Sequence, residues 1–206
     1  MKALYLIFVT IIIWSCQPKA RQFDLIIRKA MIYDGSGETP YAGDLAVSGD
    51  TIAAMGDLSR DRGNVEFDAQ NLSVAPGFIN MLSWANETLI EDGRSQSDLR
   101  QGVTLEVLGE GSSMGPWSDQ MIKEKQLAQG NIKYDIEWKT LGGYMEYMEA
   151  RGVATNLASF VGNATLRRYV MGYDQRTATS EEMEEMTTLL DREMAMGAMG
   201  ISSSLL

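Results

Sequence analysis

Two rhythms of apolar and polar residues divide the chain. From Phe23 to about Val74 the apolar positions come in short β-type runs, Asp24–Tyr33, Asp44–Val47, Thr51–Met55 and Asn64–Phe67. Between them stand Asp34-Gly35-Ser36-Gly37 and Ser48-Gly49-Asp50, residue types that tolerate positive φ, and the second reads as a tight hairpin. Residues 23–74 are therefore expected to form a small antiparallel, β-sandwich-like domain. After Pro76 the texture changes to apolar strands alternating with amphipathic helices. One helix is predicted over Glu137–Arg151, with Trp138, Leu141, Met145 and Met148 spaced by three and four and a stop at Gly152. A second is predicted to start at Thr179, whose hydroxyl with Glu182 makes a capping box, and to stop at Gly197. Its expected apolar stripe is Met183, Met186, Leu190 and Met194, and methionines at that spacing read as core rather than as a cofactor site.

A strand run follows each helix stop. Gly102 leads into Val103–Leu108, Gly152 into Val153–Val161, and Gly197 into Ala198–Ser202, at intervals of 50 and 45 residues. Repeated helix-to-strand units make a parallel sheet or barrel. With Ala75–Asn80 as the first strand, residues 75–206 supply four βα units, whereas a closed (β/α)₈ barrel needs roughly 250 residues. Four parallel strands also leave two unpaired edges, which folded proteins avoid. The expected class is thus α/β: a small β domain followed by the first half of a TIM-type barrel, a fragment of a longer fold.

Composition changes this picture mainly by exclusion. The 206 residues are 45% hydrophobic and 22% charged, enough apolar content to bury a core. A formal net charge of −10 argues against a surface that tracks phosphates, so nucleic acid is not an expected partner. Residues 1–22 read as a leader and linker: Lys2, an apolar run from Ala3 to Trp14 too short to span a bilayer, then Ser15-Cys16. Cys16 is the single cysteine, and its setting resembles a bacterial lipobox, in which it would become the lipidated first mature residue. The alternative is an ordinary cleaved signal with an incidental thiol. Lipidation implies export to the periplasm or cell surface, with the membrane held through acyl chains alone.

Candidate chemistry is sought where barrels place it, just after each strand. Those segments are Asn80–Trp84, Gly109–Pro116, Gly162–Arg167 and Ser202–Leu205. The chain contains no histidine, so Ser202, Ser203 and Ser204 have no imidazole to activate them and a serine-hydrolase reading fails. Ala75-Pro76-Gly77-Phe78-Ile79, Arg100-Gln101-Gly102-Val103-Thr104 with Gly109-Glu110-Gly111-Ser112-Ser113-Met114-Gly115-Pro116, and Ser159–Arg167 together resemble the amidohydrolase superfamily, in its D-aminoacylase branch. The resemblance runs from about Phe23 to Leu206.

That resemblance implies a hydrolase of carbon–nitrogen amide bonds in N-acyl (D-)amino acids or similar small molecules, using zinc. It also implies an Asp-x-His-x-His motif at the first strand, where this sequence has Asn80, Leu82 and Trp84. Neither Leu nor Trp ligates a divalent metal. At the second strand the family holds zinc through the Cys of a Gly-Asn-Cys-Gly stretch, and Gly109-Glu110-Gly111 is one residue shorter without it, so Glu110 becomes the candidate oxygen ligand. The other reading of Glu110 is a loop cap or an Arg partner. Asn163 stands where a family Gly-His stretch lines the substrate pocket, and Arg167 is a candidate for a substrate carboxylate or, alternatively, a structural ion pair. The catalytic Asp and the ligating histidines are expected beyond Leu206, so no catalytic residue is assigned within the chain and it is expected to be inactive alone. The rival reading is a lipoprotein on the same fold that has lost its metal site and only binds a small molecule.

Overall fold

The computed structural model describes residues 19–204. The leader and Cys16 lie outside that range, and within it no helix is long and apolar enough to cross a membrane. The described residues separate into two compact units, divided between Pro76 and Gly77.

The first unit is one mixed sheet of β1 (Gln22–Ile32), β2 (Tyr41–Ser48), β3 (Thr51–Gly56), β4 (Arg62–Asp68) and β5 (Ser73–Val74). The order is β3-β2-β1-β4, with β5 also pairing β1. The β1–β2 and β2–β3 pairs are antiparallel as expected, but β4 and β5 run parallel to β1, which corrects the all-antiparallel reading. The cause lies in the polar link Asp57–Asp61. It carries the chain from the β3 edge to the far side of β1, so that β4 enters at the end where β1 begins; there Arg62 N–H donates to Arg21 O and Arg21 pairs with Asp61. Leu58 anchors this crossing by packing with Phe23, Ile26 and Ala46 in a buried cluster. Arg28 ties the link to the sheet, donating to the Leu58 and Asp61 carbonyls and pairing with Asp44 and Glu66. The guanidinium and the Gly63 N–H hold the Glu66 carboxyl down to about 2. Val65 and Phe67, in register with Leu25 and Ile27, stay more than half exposed. Among its described residues the first unit is thus one sheet where a sandwich-like pair of layers was expected.

The second unit alternates strand and helix. Strands β6 (Phe78–Asn80), β7 (Val103–Leu108) and β8 (Asn156–Ser159) form a parallel sheet in that order. Strand β9 (Val161–Gly162) pairs in parallel with β10 (Ile201–Ser202). The predicted run Val153–Val161 is therefore shortened and split at Phe160, where the chain changes neighbour: Phe160 N–H donates to Leu108 O on one side and Val161 N–H to Gly200 O on the other.

The helices are α1 (Thr88–Glu91), α2 (Gln96–Leu99), α3 (Asp119–Ala128), α4 (Leu141–Arg151), α5 (Asn163–Met171) and α6 (Ser180–Ala195). Helix α4 starts four residues later than predicted because Thr140 is its cap, accepting from Gly143 N–H at 3.0 Å. Trp138 precedes the helix yet is 4% exposed, and its indole N–H donates to Met114 O at 2.7 Å. Its apolar spacing reflects burial in the same core, with Tyr144 and Tyr147 against its ring, and not helical phase. The helix ends at Gly152, whose φ of 79° lets its N–H turn back to Met148 and Glu149 carbonyls.

Helix α6 begins with the predicted capping box. Its buried face is Met186, Leu189 and Glu193, whereas Met183 and Met194 are exposed, so the predicted stripe is off by a rotation. The reason is Glu193. Its carboxylate lies in the core and accepts from Leu141 N–H at 2.7 Å, satisfying one of the orphan donors at the start of α4.

Candidate functional site

The segments that follow β6, β7 and β9 converge on a cavity of about 750 Å³ in the second unit. Residues Ser83–Thr88 make one wall, the loop Gly109–Trp117 a second, and the start of α5 with the turn at Tyr173 a third. Cavities at the C-terminal ends of parallel strands are where α/β folds bind ligands, because loops from several strands meet there over a fixed scaffold.

The Gly109–Trp117 loop is stitched down on both sides. Gly109, at φ 92°, leaves no room for a Cβ, which would collide with the Phe160 carbonyl. Ser113 N–H donates to Thr165 Oγ1 at 2.8 Å, and its hydroxyl accepts from Gly162 N–H at 3.0 Å. Trp117 Nε1 donates back to Ser113 O at 3.1 Å. Ser202 Oγ accepts from Gly111 N–H at 3.1 Å and donates to Gly109 O, so this serine fixes backbone and has no nucleophile's geometry.

On this frame Glu110 sits half-buried on the cavity wall. Its backbone carbonyl accepts from Ser112 N–H at 2.6 Å. Among the described residues its carboxylate has no hydrogen-bond or ion-pair partner, unlike the other charges around the cavity. Glu87 pairs with Lys125. Arg168 pairs with Glu124 at 2.6 Å and lies over the Tyr173 ring, whose hydroxyl donates to the same Glu124. Those contacts, the Arg168 hydrogen bond foremost, hold the Glu124 carboxyl below its ordinary value. Arg167 also lines the cavity, but its Nη2 donates to the carbonyls of Asp174 and Arg176 at 2.8 and 2.6 Å, tying down the loop after α5. Asn163 is the exposed first residue of α5 and is not on the cavity wall. Asn80 turns its carboxamide oxygen onto Leu82 N–H at 3.2 Å.

Reading the sequence missed Ser83, the Glu87–Lys125 pair and Arg168 with Tyr173. None of these has a local motif; they meet only because three loops converge. The donor set does not fit a metal centre by itself: among the described residues no three His, Cys, Asp or Glu side chains converge, and Glu110 offers one carboxylate.

No family model matches the chain. It is 35% identical over 197 residues to a D-aminoacylase from Alcaligenes xylosoxydans xylosoxydans, a match that takes in 91% of this chain and 39% of the relative. A D-aminoacylase crystal structure, described as defining a novel subset of amidohydrolases, superposes with a TM-score of 0.75 at 32% identity over 88% of this chain and 38% of that one. The N-acyl-D-glutamate deacylase of Bordetella bronchiseptica, solved with zinc and a phosphonate mimic of the tetrahedral intermediate, gives a TM-score of 0.76 at 27% identity. It is matched over 89% of this chain and 38% of its own. In sequence and in fold the chain is a homologue of the D-aminoacylase amidohydrolases, matched over most of its own length and under two fifths of theirs.

Proposed function

We propose that the chain is the strand-end wall of an amidohydrolase that cleaves the amide bond of N-acyl amino acids. The observation that carries this reading is the unpartnered Glu110 carboxylate on a cavity formed by the loops after β6, β7 and β9, on a fold whose homologues are deacylases. A carboxylate that faces a cavity at the strand ends without a protein partner is free to take a ligand, and such isolated polar groups are what orient ligands in otherwise apolar sites. Residues 77–206 would then be part of a (β/α)₈ barrel, with catalytic groups supplied by the rest of the whole protein. Arg167 is the candidate on this cavity for the substrate side of the site, reaching a carboxylate through the guanidinium edge that its Nη2 contacts leave open, whereas Asn163, exposed at the start of α5 and off the cavity wall, would meet substrate only through the rest of the whole protein.

Zinc, present in the Bordetella deacylase, enters here as a proposal resting on one residue. The described side chains do not make a centre, so Glu110 would provide a single oxygen and no reaction step is assigned through the metal. Export with lipidation at Cys16 belongs to the same proposal and rests on the leader alone. A second reading, a small-molecule-binding protein without catalysis, is favoured by Leu82 and Trp84, which present apolar, largely exposed side chains where the family pattern has histidines.

The test is Glu110→Gln in the whole protein, which keeps the shape and removes the charge. Bound metal and release of amino acid from an N-acyl-D-amino acid should both fall by at least about tenfold, the lower range seen even for outer-sphere losses at metal sites. Unchanged metal and turnover would return Glu110 to a structural role.

A further inference from the structure

Glu106 lies in the middle of β7 with no exposed surface. A carboxylate there is costly unless fully hydrogen-bonded. It is met by three hydroxyls: Ser83 Oγ donates to Oε2 at 2.7 Å, and Ser95 Oγ and Thr155 Oγ1 donate to Oε1 at 2.9 and 3.0 Å. Among the described residues it has no cationic partner.

Two of these hydroxyls come from segments away from the cavity, but Ser83 stands on its wall. The same Ser83 oxygen accepts from Ala85 N–H at 3.2 Å, and Ser83 N–H donates to Val107 O at 2.9 Å. The Ser83 hydroxyl spends its proton on Glu106 Oε2, which leaves an oxygen lone pair turned toward Ala85 N–H. Ala85 O in turn receives Leu89 N–H at 3.0 Å, and Asn86 O receives Tyr144 OH at 3.0 Å. The wall that carries Trp84 and Glu87 thus hangs on two buried side chains, Glu106 through Ser83 and Tyr144 through Asn86.

We infer that Glu106 is a positioning residue: through the Ser83 hydroxyl it sets the Ser83–Thr88 wall of the cavity and so the fit of the ligand. What the cavity binds rests on the amidohydrolase reading, whereas the ordering of the wall does not. With Oε1 keeping Ser95 and Thr155, Glu106→Gln would set an amide N–H against Ser83 Oγ, so that this hydroxyl must turn from donor to acceptor and share its lone pairs between the amide and Ala85 N–H.

The test uses the whole protein with Glu106→Gln, the milder Ser83→Ala, their double variant, and Thr155→Ala as the control that removes a hydroxyl from the same carboxylate away from the cavity. Amide hydrogen exchange across 83–91 should quicken in the first three and not in Thr155→Ala. KM for an N-acyl-D-amino acid should rise about tenfold in both single variants with kcat changed less, as expected for lost ligand positioning. The double variant should be no worse than the poorer single, because both cut one chain of contacts. Unchanged exchange and KM in Ser83→Ala, or an equal rise in Thr155→Ala, would overturn the inference. If the wild type cleaves no N-acyl amino acid, the amidohydrolase reading fails while the exchange data alone still decide the role of Glu106.

Discussion

Glu110 and Arg167 entered as equals in the sequence, each a charge after an apolar run, and the fold separates them. Among the described residues the Glu110 carboxylate has no partner, whereas Arg167 already holds two backbone carbonyls. Replacing Arg167 with Ala should therefore free residues 172–178 first: limited proteolysis near Tyr173 should become several-fold faster. Unchanged cleavage there, with KM for an acidic substrate raised, would make ligand binding its main role. Glu106 shows what was legible and passed over. A lone carboxylate within Val103–Leu108 contradicts the apolar pattern, and such a residue must find hydrogen bonds inside. Its partners Ser83, Ser95 and Thr155 lie far apart in sequence, so the cluster itself was beyond local reading. Asn163 is the reverse case, a position suggested by a motif that the fold leaves exposed on a helix end.

Among the elements, capping chemistry was the most readable signal because it is complete within four residues. Thr179 and Glu182 form the predicted box, with Glu182 also pairing Arg176 at 2.5 Å. Thr179→Ala should cost about 1 kcal/mol of stability, the usual worth of an N-cap, measured by denaturant unfolding. The Arg176 hydrogen bond, then the Thr179 N–H, hold the Glu182 carboxyl down to about 2 from an ordinary 4.5. Because the folded value is the lower one, the ionised group stabilises the fold above pH 4.5, and that contribution is lost as pH falls toward 2. The Tm difference between wild type and Glu182→Gln should accordingly be full at neutral pH and vanish near pH 2. A difference that persisted at pH 2 would assign the effect to packing. Helical phase was less readable: Trp138 and the methionines of α6 share the core with other elements, and Glu193 took a core position in order to cap α4. Periodicity cannot foresee a charge drawn inward by a distant helix end.

For the whole molecule, the order of strand and helix was legible because glycine stops and apolar runs repeat, and β6, β7, β8 with β9, and β10 follow one another in parallel. The parallel entry of β4 was not, since it depends on Leu58 and Asp61 carrying a polar link across the sheet. The leader supports its own prediction: mass spectrometry of a membrane fraction should find Cys16 as an acylated N-terminus, and an unmodified soluble product cut elsewhere would exclude it. Everything functional turns on whether the cavity after β6, β7 and β9 belongs to a deacylase. The most direct measurement is amino-acid release by the whole protein from a panel of N-acetyl-D- and L-amino acids, run beside Glu110→Gln. Release by the wild type that falls at least about tenfold in the variant is the predicted result. No release from any member of the panel, or equal release by both proteins, would contradict it.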